Sequence, residues 1–450
     1  MPEAKIRLEL TIPLENVTVN ALIIIFKKIL VQLVPQMVTL CLETYQEARL
    51  DHRLGPRWSD EPQKEAGWNC PECGSHRGFN RRGSRPRMLQ KTSLGQIEFQ
   101  LFQVTCRRCG KTFAPFSEEL SIDPYQTSTP EFQARAVETA CQLSYRRSAN
   151  MVSSGTLTSS ISATAIHNWV QEAGNRVSFQ AQKAENQTVI LDSTKVKAGE
   201  KERGAPLKLG FALTGRSTKG YRPHLDKHPV AFGVDEDWKD ILAPLESSQP
   251  ERTIFDGGMA FRNLLDTVWP KTRKQRCLWH LSHQMYFHLL RDGLGKVMSD
   301  PIRSRLNYLL MDSPDLDQAK RAYQALVDEL RLEGLKHGAK HLQEAQKNVF
   351  TFRKYPEGVF SERSSTKNSQ APLATSPLER EMREVNRRTD NGSRWSIPGV
   401  KNMISLDLSR RYDDQRWQDI WDQPQEEYSF KFSVKVQAEM VYSNSNVKTG

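Results

Sequence analysis

Apolar and polar residues alternate with different periods along the chain, and each change of period predicts a change of structure. Residues 20–42 are the most apolar stretch, but Lys27, Lys28, Gln32 and Pro35 interrupt it within the length that a membrane span needs. The stretch therefore predicts an amphipathic helix, either a core helix of the amino-terminal domain or a helix for self-association. It lacks a basic start followed by a small-residue cleavage site, which disfavours a secretory signal peptide.

The following part of the chain passes from turn-forming residues to alternation and then to helical spacing. Residues 51–67 combine Pro, Gly and charge, as linkers do. Residues 95–105 alternate apolar and polar positions and predict a strand. Three short helical stretches follow between residues 119 and 180, separated by Ser, Gly and Thr turns, and such a trio suits a helix-turn-helix.

From residue 187 onwards, short apolar runs bounded by turn residues predict strands. The runs are TVILDS, LKLGFALTG, PVAFGVD, RTIFD and QRCLW, with helical stretches between the later ones. Residues 281–345 are rich in Ala, Leu, Glu and Lys, which predicts an all-helical segment. A loop at 354–375 and a helix beginning at Ser376 as N-cap follow. The fold class is therefore α/β with a mixed sheet.

Composition and charge narrow the class of partner. The chain has 450 residues, enough for roughly two to four domains, and 64 Lys and Arg against 53 Asp and Glu give a net charge of +11. This balance favours a polyanion such as nucleic acid. Seven cysteines, four of them in two CxxC pairs, indicate metal ligation in a reducing compartment rather than a disulfide framework.

The two CxxC pairs are the strongest metal signal. Cys70, Cys73, Cys106 and Cys109 can place four thiolates on one structural Zn²⁺, with a long hairpin between the two turns. The basic residues around them suit a module that docks on phosphates, or they form a solvated face of a module that zinc merely folds. These residues are Arg77, Arg81, Arg82, Arg85, Arg87, Arg107, Arg108 and Lys111.

The third helix of the trio is the candidate recognition helix. Its Thr164, His167 and Asn168 are available to base edges or phosphates, together with Ser162. The packing side would consist of four apolar residues, namely Ala165, Ile166, Trp169 and Val170. A helical bundle without nucleic-acid contact is the alternative.

Three acids stand where strands or a helix could present them. Asp192 and Asp256 follow apolar runs at predicted strand ends, and Glu379 lies on the late helix. Together they could hold two Mg²⁺ ions for a phosphoryl transfer. Each also has an ordinary explanation, since strand-end Asp residues cap turns and Glu379 could be the capping-box partner of Ser376.

The run FDGGMAFRNLLDTVWPKTRKQRCLWHLSHQMYFHLL resembles the signature of mutator-like DDE transposases of bacterial insertion sequences. The matching residues are an Asp-Gly after a strand and then a Cys and a His in Cys-x-x-His spacing, here Asp256, Gly257, Cys277 and His280. ATSPLEREMREVNRRT resembles the segment with the catalytic glutamate and places it on Glu379 rather than Glu381 or Glu384. VILDSTKVKAG resembles the strand that bears the first aspartate, Asp192.

The resemblance covers about residues 187–396 and implies an RNase H-like catalytic domain whose all-helical insertion is 281–345. It implies an enzyme that uses two Mg²⁺ or Mn²⁺ ions per active site, cuts at terminal inverted repeats and joins the freed 3′ hydroxyl to target DNA. Because two ends must be synapsed, it implies a homo-oligomer. A cytoplasmic, nucleoid-associated location follows, with no membrane partner.

The resemblance also bears on the remaining motif residues. Cys277 and His280 would position DNA or the acids, or they are a packed Cys beside a hydrogen-bonded His. Arg380, Arg383 and Arg387 lie at helical spacing beside Glu379 and would hold the scissile phosphate, or they form a solvated face.

Two other functions stay open. One is a zinc-containing DNA-binding protein without catalysis, and the other is an RNase H-like nuclease.

The sequence predicts a chain of five parts. They are an amino-terminal helical segment and linker at 1–60, a zinc-ribbon-like module at 61–118, a helix-turn-helix-like domain at 119–180, the RNase H-like domain at 187–396 and a carboxy-terminal tail at 397–450.

Overall fold

The computed structural model of the protein describes most of the chain and shows a mixed α/β architecture with two sheets. The predicted linker and the predicted loop at 354–375 lie largely outside the described residues, as does 422–450 of the predicted tail. No described helix is both long enough and apolar enough to cross a bilayer. The described residues are 19–55, 67–155, 160–177, 184–185, 187–200, 202–219, 222–355, 375–390, 392 and 394–421.

The amino-terminal part combines one long helix with a small antiparallel sheet. The helix packs on the central strand of the sheet, and its Gln46 donates to the carbonyl of Gln100 and accepts from the backbone N–H of Phe102. Leu50, Phe79 and Phe99 lie in their common core. The elements are α1 (Val19–Leu54), β1 (Phe79–Leu89), β2 (Ile97–Cys106), β3 (Thr112–Phe113) and α2 (Phe116–Glu119), with strand order β1-β2-β3.

The three predicted helices are present and each begins after a side-chain cap. Thr129 accepts from the N–H of Phe132, Ser144 from that of Arg147, and Ser162 from that of Ala165. Such caps satisfy N–H groups that have no partner within the helix. The helices are α3 (Pro130–Gln142), α4 (Tyr145–Gly155) and α5 (Ala163–Arg176).

The second sheet has five strands in the order β6-β5-β4-β7-β8. The first three are antiparallel neighbours, and the pairs β4-β7 and β7-β8 are parallel. The strands are β4 (Thr188–Val196), β5 (Ala205–Lys219), β6 (Arg222–Val234), β7 (Arg252–Phe255) and β8 (Arg273–Arg276). Between β6 and β8 lie α6 (Trp238–Leu242), a 3₁₀ turn (Ala243–Leu245) and α7 (Met259–Val268).

An all-helical insertion follows β8, as the sequence predicts. Its helices enclose a core of their own, in which Met285, Leu306, Tyr323, Leu326 and Leu342 are buried. They are α8 (Leu278–Arg291), α9 (Lys296–Met311), α10 (Leu316–Leu332), α11 (Lys336–Ala345) and α12 (Thr351–Lys354).

Three further helices complete the described chain: α13 (Ser376–Thr389), α14 (Ile397–Tyr412) and α15 (Asp414–Ile420). Helix α13 has Thr375 rather than the expected Ser376 as its N-cap. Helix α14, in the segment predicted as a tail, lies between two cores. Its Val400 and Ile404 pack with the five-stranded sheet, while Met403 and Leu406 pack with the helical trio. It therefore joins the trio to the sheet.

Candidate functional site

The strand register brings the two aspartates to one face of the sheet. In the parallel pair β4-β7, Ile190 lies opposite Ile254. Asp192 and Asp256 each follow two residues later, so by the two-residue period of strands they lie on the same face as those isoleucines and level with each other. Asp192 lies inside β4 rather than at its end, because the hairpin with β5 continues to Val196.

Helix α13 packs on this same face. Its Leu378 and Met382 share a core with Ile190 and Ile254. Glu379 lies in the first turns of the helix, and its backbone N–H donates to the Thr375 carbonyl at 3.0 Å. It is the fourth residue after the cap and not the third, so the capping-box role is excluded.

The three acids of α13 have different surroundings. Glu379 offers an oxygen within 4.8 Å of ligand atoms of Asp192 and His280, and its Oε1 is buried without a hydrogen-bond partner among the described residues. Glu381 instead forms buried ion pairs with Lys227, at 2.7 Å, and with Arg411. The last acid, Glu384, pairs with Arg387 on the surface. Of these, Glu379 is the one placed to share an ion with Asp192.

The Cys-x-x-His motif connects the sheet to α13. Cys277 is the N-cap of α8, and its Sγ accepts from the backbone N–H groups of His280, at 3.5 Å, and of Thr375, at 3.4 Å. The Thr375 hydroxyl lies 3.3 Å from Nδ1 of His280, whose Nε2 lies 3.9 Å from Oδ2 of Asp192. Thr375 is buried and was not identified from the sequence, in which its one signal is its place before Ser-Pro.

Burial and close charges perturb this group of side chains. Burial raises the pKa of Asp192, and the charge of Asp256 adds to that effect, while His280 opposes it. Burial alone would lower the pKa of His280, but Cys277, Asp192 and Asp256 together raise it. Burial likewise opposes ionisation of the Cys277 thiol, but hydrogen bonds from His280 lower its pKa. Each of these three pKa values is therefore shifted in part by another side chain of the same group.

Asp256 is held less tightly than Asp192. It is partly exposed, its Oδ1 accepts from the N–H of Gly258 at 3.4 Å, and it does not belong to the close ligand set. Behind it, Gly257 has φ +92°, and an added Cβ would lie 1.4 Å from Nη1 of Arg276. Glycine is therefore required at position 257 for two reasons, the positive φ and the lack of space for a Cβ. Arg276 is buried, donates from Nη2 to Gln284 at 2.8 Å, and was also missed by sequence reasoning.

The four predicted zinc ligands come together in the amino-terminal module. Their sulfurs lie within 4.8 Å of one another, with 3.5 Å between Cys70 and Cys109 and 3.7 Å between Cys73 and Cys106. Zn–S bonds of about 2.3 Å in a tetrahedron separate sulfurs by about 3.8 Å, so the set fits Zn²⁺.

The two CxxC turns have the same backbone structure. The carbonyls of Cys70 and Cys106 accept from Gly74 and Gly110, both at 2.9 Å and both with positive φ. Burial opposes ionisation of Cys70, but backbone N–H groups of the turn and the neighbouring thiols lower its pKa to about 7. A backbone hydrogen bond lowers the pKa of Cys109, but the contacts with the other three sulfurs raise it above its ordinary value, so four thiolates, the form that binds zinc, need a cation among them.

With this geometry established, comparison with known proteins identifies the family. The family described as "Transposase, Mutator family" matches residues 59–418, well over half of the chain. The chain belongs to the Mutator family of transposases. Membership implies a DNA-processing enzyme that binds DNA. Comparison with curated proteins gives no match.

Several of the transposase's predicted DNA-binding residues are on its surface. Helix α5 buries Ile166 and Val170 and leaves Thr164, His167 and Asn168 exposed, as its pattern predicts. Arg380, Arg383 and Arg387 are exposed on α13.

The arginines around the zinc ligands of the transposase differ in availability. Arg82 and Arg108 are exposed. Arg107 is exposed too, but its Nε donates to Asn80 at 2.7 Å. Arg81 forms ion pairs with Glu47 and Asp51 and so ties β1 to α1.

Proposed function

We propose that the chain cuts DNA at the ends of an insertion sequence and joins the freed ends to target DNA, with Asp192, Asp256 and Glu379 as its catalytic acids. The observation on which this proposal rests is the contact between β4 and α13, which brings a carboxylate oxygen of Asp192 within 4.8 Å of one of Glu379. A buried carboxylate oxygen without a donor, such as Oε1 of Glu379, is costly unless a cation lies beside it.

The donor set fits a hard divalent cation. Carboxylate oxygens of Asp192, Asp256 and Glu379 suit two Mg²⁺ or Mn²⁺ ions, and the nearby imidazole of His280 suits Mn²⁺ better than Mg²⁺. Such ions stabilise charge on phosphoryl oxygens and activate the attacking hydroxyl. Asp256 lies outside the close set, so we infer that its partly exposed carboxylate contributes from the solvent side of the site.

We further propose that the five-stranded sheet is an RNase H-like core. Its three antiparallel strands β6-β5-β4, the parallel strands β7 and β8, and the acid-bearing helix on one face support this assignment. The insertion of α8–α12 between β8 and α13 supports the family's interrupted version of that fold.

The chain's own residues would act by positioning. Thr375 and Cys277 hold the ring of His280 beside Asp192, and Arg276 supports the turn at Gly257. In the first step, water adds to phosphorus and the 3′ oxygen leaves as a hydroxyl. In the second step, that hydroxyl attacks a target phosphodiester and releases the target's own 3′ hydroxyl. The exposed arginines of α13 would hold the backbone near the acids.

The amino-terminal modules would supply DNA binding. In this proposal, Zn²⁺ on the four cysteines orders β1–β3, and exposed Arg82, Arg107 and Arg108 contact phosphates. Helix α5 would read the terminal inverted repeats through Thr164, His167 and Asn168. A homo-oligomer would hold two ends together.

The test is a strand-transfer assay with the full chain, terminal-repeat duplex, target plasmid and Mg²⁺ or Mn²⁺. Asp192→Asn, Asp256→Asn and Glu379→Gln should each abolish joined products, whereas Glu384→Gln, on the same helix but at the surface, should retain them. Binding of the duplex by the three inactive variants should persist.

The other functions give different results in the same assay. A DNA-binding protein without catalysis leaves wild type unable to nick DNA, and an RNase H-like nuclease cuts but joins nothing. Activity that survives all three acid substitutions contradicts the proposed site.

A further inference from the structure

Three helices begin at one cleft between the helical trio and the sheet. Its lining includes Ser144 and Tyr145 at the start of α4, Ala163 at the start of α5, and Ser396, the N-cap of α14. The cleft has a volume of about 630 Å³. It lies away from Asp192, Asp256 and Glu379, none of which lines it.

The helix ends give this cleft a positive potential. The three helices have 11, 14 and 16 residues, so each carries a developed dipole whose positive end is its first turn. Amino-terminal turns also present N–H groups that lack partners within the helix, and phosphate groups bind at such positions. Three such ends at one cleft add their fields.

Arginines add to that potential. The cleft is lined by Arg146, Arg147, Arg388 and Arg394 together with His167, and no Asp or Glu among the described residues lines it. Arg146 and Arg147 are exposed in the first turn of α4, where a cation is unfavourable. Within the described part of the chain their side chains form no ion pair. Both features are expected where an anion binds.

Arg388 is the buried element of the cleft. It is 5% exposed, its Nε donates to the carbonyl of Ala140 at 2.5 Å, and its guanidinium carbon lies over the rings of Tyr145 and Trp395, 4.9 and 4.7 Å from their centroids. Its Nη2 has no hydrogen-bond partner among the described residues. An unpaired donor on a fixed, always charged group is costly without an acceptor.

Other arginine-rich cavities differ in one respect. The neighbouring cavity, of about 400 Å³, shares Arg388 with the cleft and is lined by Arg387, Arg410 and Arg411 but also by Glu384 and Asp407. A cavity beside α1 combines Arg49 and Arg53 with Glu118 and Glu119. Acids line both of these cavities, whereas no acid among the described residues lines the cleft at the three helix ends.

We propose that this cleft binds backbone phosphates of duplex DNA, a proposal that rests on the function proposed above. The exposed face of α5 adjoins it through His167. On the other side, Arg388 lies nine residues along α13 from Glu379, which is a rise of about 14 Å along the helix axis at 1.5 Å per residue and about half a turn around it. The cleft and the acids therefore lie on different sides of α13, separated along its axis by about the length of four nucleotides of one strand.

The test measures binding of a fluorescent 30-base-pair duplex at several salt concentrations, without added divalent metal, so that catalysis plays no part. Arg146→Ala/Arg147→Ala should lower affinity roughly tenfold or more and reduce the salt dependence by about two counterions, the effect of two lost phosphate contacts. Arg291→Ala/Arg321→Ala removes two exposed charges from the insertion and should keep the wild-type slope. Circular dichroism checks that both variants are folded.

Three results would overturn the inference. An Arg146→Ala/Arg147→Ala variant with the control's slope shows that the cleft does not contact DNA. If inorganic phosphate binds the wild type but not this variant while duplex affinity is unchanged, the cleft takes a free anion instead. A wild type that binds no duplex at all removes the proposed function together with the inference, which distinguishes it from the other two results.

Discussion

Three glutamates lie within six residues of α13 and have different surroundings. At the residue scale, these surroundings distinguish a glutamate that stabilises the fold from one that could act in the site. Oε1 of Glu379 is buried without a partner among the described residues, whereas Glu381 joins Lys227 and Arg411 in buried ion pairs. Burial opposes ionisation of Glu381, but these two cations lower its pKa. Glu379 is therefore suited to bind a cation, whereas Glu381 is suited to stabilise the fold.

The first prediction compares these two residues by chemical denaturation without divalent metal. Glu381→Gln should lower the free energy of unfolding by about 3 kcal/mol, because it leaves Lys227 without its buried counter-charge and Arg411 with Asp407 alone. Glu379→Gln should leave stability unchanged or raise it, because Oε1 of Glu379 accepts no hydrogen bond among the described residues, so the substitution leaves no described donor without its acceptor. Equal losses in both variants would contradict the assignment.

The second prediction concerns pH and His341, which is 7% exposed in the core of the insertion. Burial lowers its pKa to about 4, while its Nε2 lies 3.1 Å from the carbonyl of Leu281 and its ring stacks on His288. Since the unfolded chain takes up the proton near pH 6.5, stability is full above that value and falls as pH drops towards 4.

Between pH 7 and pH 5, this one group should remove about 2 kcal/mol of stability. His341→Gln should show a smaller loss over the same interval, measured by chemical denaturation at both pH values. His337→Gln is the control, because His337 is exposed on the same helix. If His341→Gln and wild type show the same pH dependence, His341 is not the group that titrates.

At the scale of elements, two kinds of sequence pattern identify the structure: helical spacing in helices that bury one face, and short apolar runs in strands that are buried on both faces. The trio α3–α5 and the insertion have the first pattern, and strands such as β4 and β7 have the second. Helix α14 has neither pattern, because Val400 and Ile404 face the sheet while Met403 and Leu406 face the trio. Apolar residues on two sides of a helix, with polar residues such as Lys401 between them, leave no single apolar stripe at the helical period.

Part of the candidate site follows from local sequence patterns, and the rest depends on contacts between distant segments of the chain. Strand period places Asp192 and Asp256 on one face, but the closeness of His280 and Thr375 depends on how α8 and α13 begin, which no local pattern encodes. The sequence pattern does not single out Arg388, because its partners Tyr145 and Trp395 come from other segments of the chain.

The third prediction tests the contact between α5 and α14. A Cβ added to Gly174 would lie 2.4 Å from Cβ of Asn402 and 2.9 Å from its backbone Cα. Gly174→Ala should therefore push the two helices apart and cost about 1–3 kcal/mol, despite the better helix propensity of alanine. Gly295→Ala is the matched control, since it has ordinary backbone angles and open space around it.

Thermal unfolding of these two variants gives the comparison directly. A Gly174→Ala variant as stable as Gly295→Ala would show that the trio is not docked on α14 through this contact. Because the proposed phosphate cleft uses the starts of both helices, Gly174→Ala should also weaken duplex binding, whereas Gly295→Ala should not.

At the scale of the whole molecule, the core of the amino-terminal module and that of the five-stranded sheet share no residue. Leu50, Phe79, Phe99 and Phe116 lie in the first, and Ile190, Ile254 and Leu378 lie in the second. Among the described residues, the four-cysteine cluster that fits zinc belongs to the first core, which contains Cys70 and Cys106. Loss of zinc should therefore act locally, which is the fourth prediction.

Hydrogen exchange read by mass spectrometry, before and after chelation, measures this directly. The amides of β1 and β2 should lose protection on removal of zinc, because a small module depends on its metal for stability, while those of β4, β5 and β7 should keep it. Cys73→Ser should reproduce the chelated pattern, and Cys41→Ser should not, since exposed Cys41 lies outside the four-sulfur cluster. Protection lost over both sheets would mean that the module and the sheet fold as one unit, and protection lost in neither would mean that the four thiols hold the module together without a metal.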